Sequence, residues 1–305
     1  MKPLVVVNPQ SGGGATGRTF AQMRGAIERA LGPVEVAMTE RAGHGEELAR
    51  EGAKAGHELV VAVGGDGTLH EVVCGLVTSG TEARLGLIAQ GTGGDFRRTL
   101  GLEHRLDRYL EALKSGRERA IDVGRFQGAG KEQHYFVNVL SVGMGGLVDR
   151  YVATASRALG GTAAYFGASL RALVTSRLGH VRVKVENEGE EQELLVRSYM
   201  IALCNGRYFG SGMKVGPMAE LDDGAIDLVA LGTTSKVGFA LTSSSIYSGD
   251  HMKNANTVHL RGQRFELELV NTDASEAFLA DVDGEPMGSL PLRVEVMPKA
   301  LVLRA

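Results

Sequence analysis

The chain is 305 residues long, 43% hydrophobic and 23% charged, with a net charge of −3 at neutral pH. That length leaves room for two domains and a core that needs neither disulfide nor metal, and the acidic balance excludes a dedicated nucleic-acid binder, whose domain would be basic. Glycine is the outlier at 43 residues, about twice the average usage of roughly 7%.

The first 124 residues alternate strand and helix signals. An apolar run at 4–7 precedes a stretch, 17–31, with helical spacing through Phe20, Met23 and Ile27. Residues 34–38 alternate as a strand, 46–55 read as a polar helix, and 58–63 are a second apolar run before a helix over 68–78. A strand at 84–89, helices near 95–100 and 104–114, and a strand at 121–123 follow. Such units predict a doubly wound parallel sheet covered on both faces, with ligands beyond the carboxyl ends of its strands.

After Gly124 the texture changes. Strand-like runs follow one another at 134–140, 181–186, 194–204, 225–231, 257–260, 264–270, 277–280, 292–296 and 300–303, with helical insertions at 149–175 and 235–248. Turn signals between them predict a sandwich or barrel. The expected fold is α/β plus all-β in two domains, 1–124 and 125–305, packed across a cleft.

Cys74 and Cys204 lie far apart in apolar surroundings and read as buried thiols of a reducing compartment. No apolar run reaches the roughly 18 residues of a membrane-crossing helix. Met1-Lys2-Pro3 leads into a strand without a signal-peptide profile, so a cytoplasmic protein is expected, its membrane contact peripheral.

Glycine clusters sit at three strand-to-helix junctions. The first, Asn8 to Gly17, contains G-x-G-x-x-G at Gly12, Gly14 and Gly17, the dinucleotide fingerprint, with Glu40 near the place of a ribose-binding acid. Four residues separate that glycine from the strand end, which weakens the match, and a flexible turn explains it equally. The second, Gly64-Gly65-Asp66-Gly67-Thr68, can present backbone N–H groups and a helix N-terminus to an anion. Asp66 there would hold Mg²⁺ on phosphates or interact with an attacking hydroxyl, and Thr68 would cap the helix; a tight turn is the alternative. No Lys-Ser or Lys-Thr pair follows, so this is not a Walker loop. Gly91-Thr92-Gly93-Gly94-Asp95-Phe96 is the third. Three such loops on one sheet edge point to a polyphosphate ligand.

With these loops, Asn205-Gly206, Gly212-Met213, Pro217, Asp222-Asp223-Gly224-Ala225-Ile226-Asp227 and Asp283-Gly284-Glu285 complete a pattern that covers nearly the whole chain. It resembles the diacylglycerol kinase catalytic-domain family, in its soluble bacterial lipid-kinase branch. The resemblance implies an ATP-binding α/β domain like that of NAD kinases and phosphofructokinases, a β-sandwich that receives the lipid, and catalysis between them. It places Asn8, Pro9, Gln10, Ser11, Gly12, Thr39, Gly64, Gly65, Asp66, Gly67, Thr68, Leu69, His70 and Thr92 around ATP. Glu285 takes the position of the proton acceptor, with Asp66 beside the phosphates; as residues alone, Asp283-Gly284-Glu285 is equally a hairpin turn. The carboxylate of Asp223 and the carbonyls of Glu220 and Ala225 match a structural Mg²⁺ loop, and Asp95 and Asp122 a network around catalytic Mg²⁺. Two departures stand out: Gly94 where the family usually has asparagine, and His70 where it often has asparagine.

The expected reaction is γ-phosphoryl transfer from ATP to a lipid hydroxyl, diacylglycerol first among acceptors. Phosphatidylglycerol, a sphingoid base, ceramide and NAD are alternatives, as is a non-catalytic nucleotide- or lipid-sensing module; the oligomeric state, a homodimer included, stays open. Residues 150–179 carry Arg150, Arg157, Arg171 and Arg177, apolar residues such as Tyr151, Tyr165, Phe166, Leu170 and Val174, and no carboxylate. That composition suits docking on anionic headgroups, or equally a helix packed on the sandwich. The histidines show no H-E-x-x-H, and no G-x-S-x-G is present, which argues against zinc and serine hydrolases.

Overall fold

The computed structural model describes residues 1–130, 132–154, 161–232 and 235–305, excepting the side chains of 149, 153–154, 161–166 and 170. The first half runs β1 (Leu4–Val7), α1 (Ala15–Leu31), β2 (Glu35–Met38), α2 (His44–Lys54), β3 (Leu59–Gly64), α3 (Asp66–Ser79), β4 (Arg84–Ala89), α4 (Asp95–Thr99) and α5 (Leu106–Ser115). Its strands pair in parallel in the order β2-β1-β3-β4. β1 and β3 are buried along their whole length, which is why they read as unbroken apolar runs.

The second half continues with β5 (Glu118–Gln127), β6 (Gln133–Phe136), β7 (Val139–Gly143), α6 (Met144–Thr154), α7 (Gly161–Thr175), β8 (Gly179–Asn187), β9 (Glu190–Ser198), β10 (Met200–Cys204) and β11 (Ile226–Ala230). Then come α8 (Lys236–Ser248), β12 (Val258–Gly262), β13 (Arg264–Leu269), β14 (Leu279–Val282), β15 (Glu285–Ser289) and β16 (Leu292–Arg304). An antiparallel sheet in the order β12-β11-β10-β7-β14-β15 faces the antiparallel part of the other sheet, β16-β13-β8-β9 with β5 and β6. Val181, Val183 and Phe265 from one side meet Leu140, Ile201 and Leu228 from the other. This is a β-sandwich.

The two halves share a sheet. β16 lies parallel to β4 through Leu303 and Leu85, and antiparallel to β5 and β13. The strands expected at 292–296 and 300–303 are thus one, with an irregularity between Met297 and Leu301. Conversely, the run expected at 134–140 is two strands that change sheets at Val137-Asn138, and that at 194–204 changes sheets at Tyr199. The crossovers are hidden because the apolar residues run on from the end of one strand into the fully buried start of the next, β7 or β10. The described residues of 149–175 belong to two helices, and β15 has too polar a face to be recognised.

Sheet alternation explains where the helices go. Ile201 and Leu203 of β10 point into the sandwich, while Met200, Ala202 and Cys204 point outward beneath Phe239 and Ile246 of α8. The outer face of this sheet is therefore a second apolar layer. No helix among the described residues is long and apolar enough to cross a membrane.

Asp122 fixes the junction. Its fully buried carboxylate accepts from the amides of Lys299 and Gly224, both at 2.7 Å, and its carbonyl accepts from Asn205 Nδ2 at 3.0 Å. Lys299 stands at φ 52°, so the irregularity in β16 is held by this side chain. Asp122→Ala leaves two half-buried amide bonds without their acceptor and should cost about 2 kcal/mol in urea unfolding. A loss below about 1 kcal/mol would mean that water replaces the carboxylate.

Candidate active site

The three glycine loops converge at the carboxyl ends of β1, β3 and β4. A Cβ on Gly91 would stand 2.5 Å from the Gly65 Cα, so the second and third loops touch backbone to backbone, which only glycine permits. Asn8 Nδ2 donates to Thr68 Oγ1 at 3.1 Å and ties the first loop to the second. Thr68 therefore does not cap α3; Gly65 occupies the cap position.

A cavity of about 780 Å³ opens beside the loops. Ser11, Gly12, Gly65, Asp66, Gly67 and Thr92 line one end. The other expected nucleotide residues stand behind them. Gln10 is exposed, its amide held by Asn8 Oδ1 at 3.0 Å, and the Pro9 carbonyl accepts from Gly17. Thr39 is buried after β2, Gly64 ends β3, Leu69 belongs to the apolar core, and the His70 ring turns to Asp283.

The Asp66 carboxylate accepts from the amides of Gly94 at 2.7 Å and Asp95 at 3.1 Å. Burial pushes its pKa up, against the pull of the Gly94, Phe96 and Asp95 amides, and the charge of Asp283 adds to the rise. The contact at 94 is made by backbone, so this bond does not call on an asparagine side chain. Asp95 accepts from Ser211 N at 2.8 Å and Arg98 Nη1 at 2.9 Å, linking this loop to the second half. Burial raises its pKa as well, and the charge of Asp66 contributes.

Glu285 enters from the sandwich. Val282 pairs with Glu285, leaving Asp283-Gly284 as a two-residue turn with both φ positive, 52° and 93°, the primed geometry of a tight hairpin. The turn carries exposed Glu285 to the start of α3, where a Cβ on Gly67 would lie 2.7 Å from its Oε1. Asp283 looks inward and accepts from the amides of Val137 at 2.9 Å and of Asn138 and Val139 at 3.0 Å. Asp281 braces the same turn, accepting from Gly284 N at 3.0 Å and Ser141 Oγ at 3.3 Å. Sequence reasoning finds the turn but misses both anchors, since their partners lie some 140 positions away.

Beyond the turn the cavity becomes apolar. Met144, Leu173, Met200, Phe209, Phe239 and Ile246 line its far end, between the outer sheet face and helices α6 to α8.

A family model of the diacylglycerol kinase catalytic domain matches residues 2–126, and one of the YegS C-terminal NAD kinase beta sandwich-like domain matches residues 138–305. The chain belongs to the diacylglycerol kinase family. A diacylglycerol kinase of Bacillus subtilis is 27% identical over 288 residues, covering 94% of this chain and 90% of the relative. A probable lipid kinase YegS-like protein of Chromohalobacter salexigens is 30% identical over 285 residues, 92% of this chain and 86% of its own length. In fold, the crystal structure of a diacylglycerol kinase from Bacillus anthracis aligns with a TM-score of 0.71 at 19% identity, over 99% of this chain and 96% of that one.

Kinases of this family imply ATP, and with it Mg²⁺. The carboxylate of Asp66, half-buried and of raised pKa, faces the loop end of the cavity and suits a hard cation shared with phosphates, whereas Asp95 beside it is ion-paired with Arg98. The loop of Glu220, Asp223 and Ala225 does not fit one in this arrangement. Asp223 is ion-paired with Arg261 Nη1 at 2.7 Å and bonded to the Ala225 amide at 3.2 Å, while Asp222 pairs with Arg119. Among the described residues no three His, Cys, Asp or Glu side chains gather as a metal site. Millimolar Mg²⁺ without nucleotide should therefore leave the thermal midpoint unchanged. A rise of several degrees, abolished by Asp223→Asn, would show that the cation displaces Arg261.

Proposed function

We propose that this chain is an ATP-dependent lipid kinase whose acceptor is the free hydroxyl of diacylglycerol, giving phosphatidic acid. The observation that carries the reading is the continuity of one cavity, from the glycine loops to the apolar end under α8. The loop amides would hold the ATP phosphates, Mg²⁺ bound with ATP would offset phosphate charge beside Asp66 and Asp95, and the acyl chains would fill the apolar end. The acceptor hydroxyl then lies between them, beside the turn that bears Glu285. Glu285 takes its proton as the oxygen bonds to the γ-phosphorus and the bond to the bridging β–γ oxygen breaks, releasing ADP.

The wall charges favour a neutral acceptor. Asp66, Asp95, Asp281 and Asp283 line the cavity, and no lysine, arginine or histidine is among its described lining residues. An anionic phospholipid would place its own phosphate beside these carboxylates.

Labelled γ-phosphate transfer to diacylglycerol, phosphatidylglycerol, sphingosine, ceramide and NAD tests the reading. Label should enter diacylglycerol, and Glu285→Gln should cut the rate by about 100-fold or more. Label in NAD alone would overturn the lipid assignment.

Docking on a lipid surface completes the proposal. Val174 of α7 and Val237 and Leu241 of α8 are exposed apolar side chains on the helices that cover the cavity's apolar end. Arg171 and Arg177 are exposed nearby in sequence, Arg171 lying 4.2 Å from the centre of the Tyr151 ring. Arg157, and the side chains of Tyr165, Phe166 and Leu170, lie outside the described residues. Binding to anionic vesicles should weaken with salt and with Arg171→Glu plus Arg177→Glu. Salt-independent binding, unchanged in that double variant, would refute the electrostatic part.

A further inference from the structure

His70 belongs to the second glycine loop's helix, yet its ring does not line the cavity. Nδ1 lies 3.1 Å from Asp283 Oδ2 and Nε2 lies 3.7 Å from Cys74 Sγ, so both nitrogens are engaged away from the nucleotide end. The other partners of the Asp283 carboxylate are the amides of 137–139, all in the second half. His70 is thus a side chain by which the α/β half grips the turn that carries Glu285.

We infer that His70 is a positioning residue: its bond to Asp283 pins the Asp283-Gly284 turn to α3 and so sets Glu285 over Gly67. The inference rests on the proposed role of Glu285. Geometry supports it from both ends of the turn. Two residues after Asp283, Glu285 reaches the first turn of α3, and one helical turn further along α3 the ring of His70 meets Asp283. Asparagine, frequent here in the family, can donate one neutral hydrogen bond but cannot become an ion pair.

The ring's charge follows from its neighbours. Burial works against the protonated form, but the hydrogen bond and charge of Asp283, with Cys74, outweigh it and hold the His70 pKa well above the ordinary value. The titratable groups facing the ring are Asp283 from the turn and Cys74 from its own helix, and Asp66 bears on Asp283 through space. From β6, which packs on α3, His134 is stacked on Phe126 and Tyr135 packs against the apolar core. Because the folded pKa is raised, the pairing stabilises fully below the unfolded value of about 6.5 and is lost as pH rises through the folded value.

Steady-state kinetics of wild type, His70→Ala and His70→Asn across pH test the inference, with ring titration of His70 by NMR in the wild type. A displacement of about 1 Å costs up to ~100-fold, so His70→Ala should lower kcat by ~10-fold or more with the KM for ATP unchanged. His70→Asn should restore most of that activity near neutrality and remove an alkaline decline seen in the wild type. A raised KM for ATP with normal kcat would make His70 a nucleotide contact and overturn the inference. An alkaline decline that persists in His70→Asn would overturn it too, as would a ring that titrates at or below about 6.5. The ring titration needs no acceptor, so it is read separately from the kinase assay: a high-titrating ring supports the pin even where no phosphate is transferred, and absence of transfer counts against the kinase reading alone.

Discussion

The site depends on one buried carboxylate that collects backbone amides. Asp283 takes the N–H groups of Val137, Asn138 and Val139 where the chain leaves one sheet and enters the other. A crossover leaves amides without ladder partners, and buried orphans cost about 1–3 kcal/mol each. Supplying their acceptor from the β14–β15 turn solves two problems with one side chain. It closes the crossover, and it fixes the turn that presents Glu285. Asn205 reinforces the place from below, with Nδ2 donating to the carbonyls of Asp122 and Val137.

A related economy governs the glycine loops. Asp66 and Asp95 hold the third loop by accepting amides, and Asp95 does so across the halves through Ser211. These carboxylates are structural and, with ATP bound, would also face its phosphates. Burial strips them of water and raises their pKa values. The far end of the cavity needs no such arrangement, because the two-sided burial of β10 provides an apolar wall.

Much of this was legible in the residues. Parallel strands between helices, loops at strand ends, the Asp-Gly hairpin and the β-rich second half follow from periodicity and turn chemistry. The family pattern marked Glu285 and Asp66. Less legible was anything set by long-range partners. Asp283 read as a turn residue because the amides it accepts are far away in sequence. His70 read as a nucleotide neighbour because its helix begins at the phosphate loop. Asp223 matched a metal loop, but Arg261, nearly forty positions later, decides what its carboxylate meets. Sheet changes within apolar runs left no mark, since β7 and β10 are buried on both faces and their apolar residues simply continue those of the strands before them.

β16 has a consequence for the order in which the protein can be completed. The edge of β4 is closed by a strand near residue 303, after every other element of the sandwich. β4 remains an open edge until the segment near residue 303 pairs with it. The first half in isolation would keep that edge exposed. The nucleotide half is closed by a strand of the second half, so the two halves share one edge rather than meeting as separate pieces.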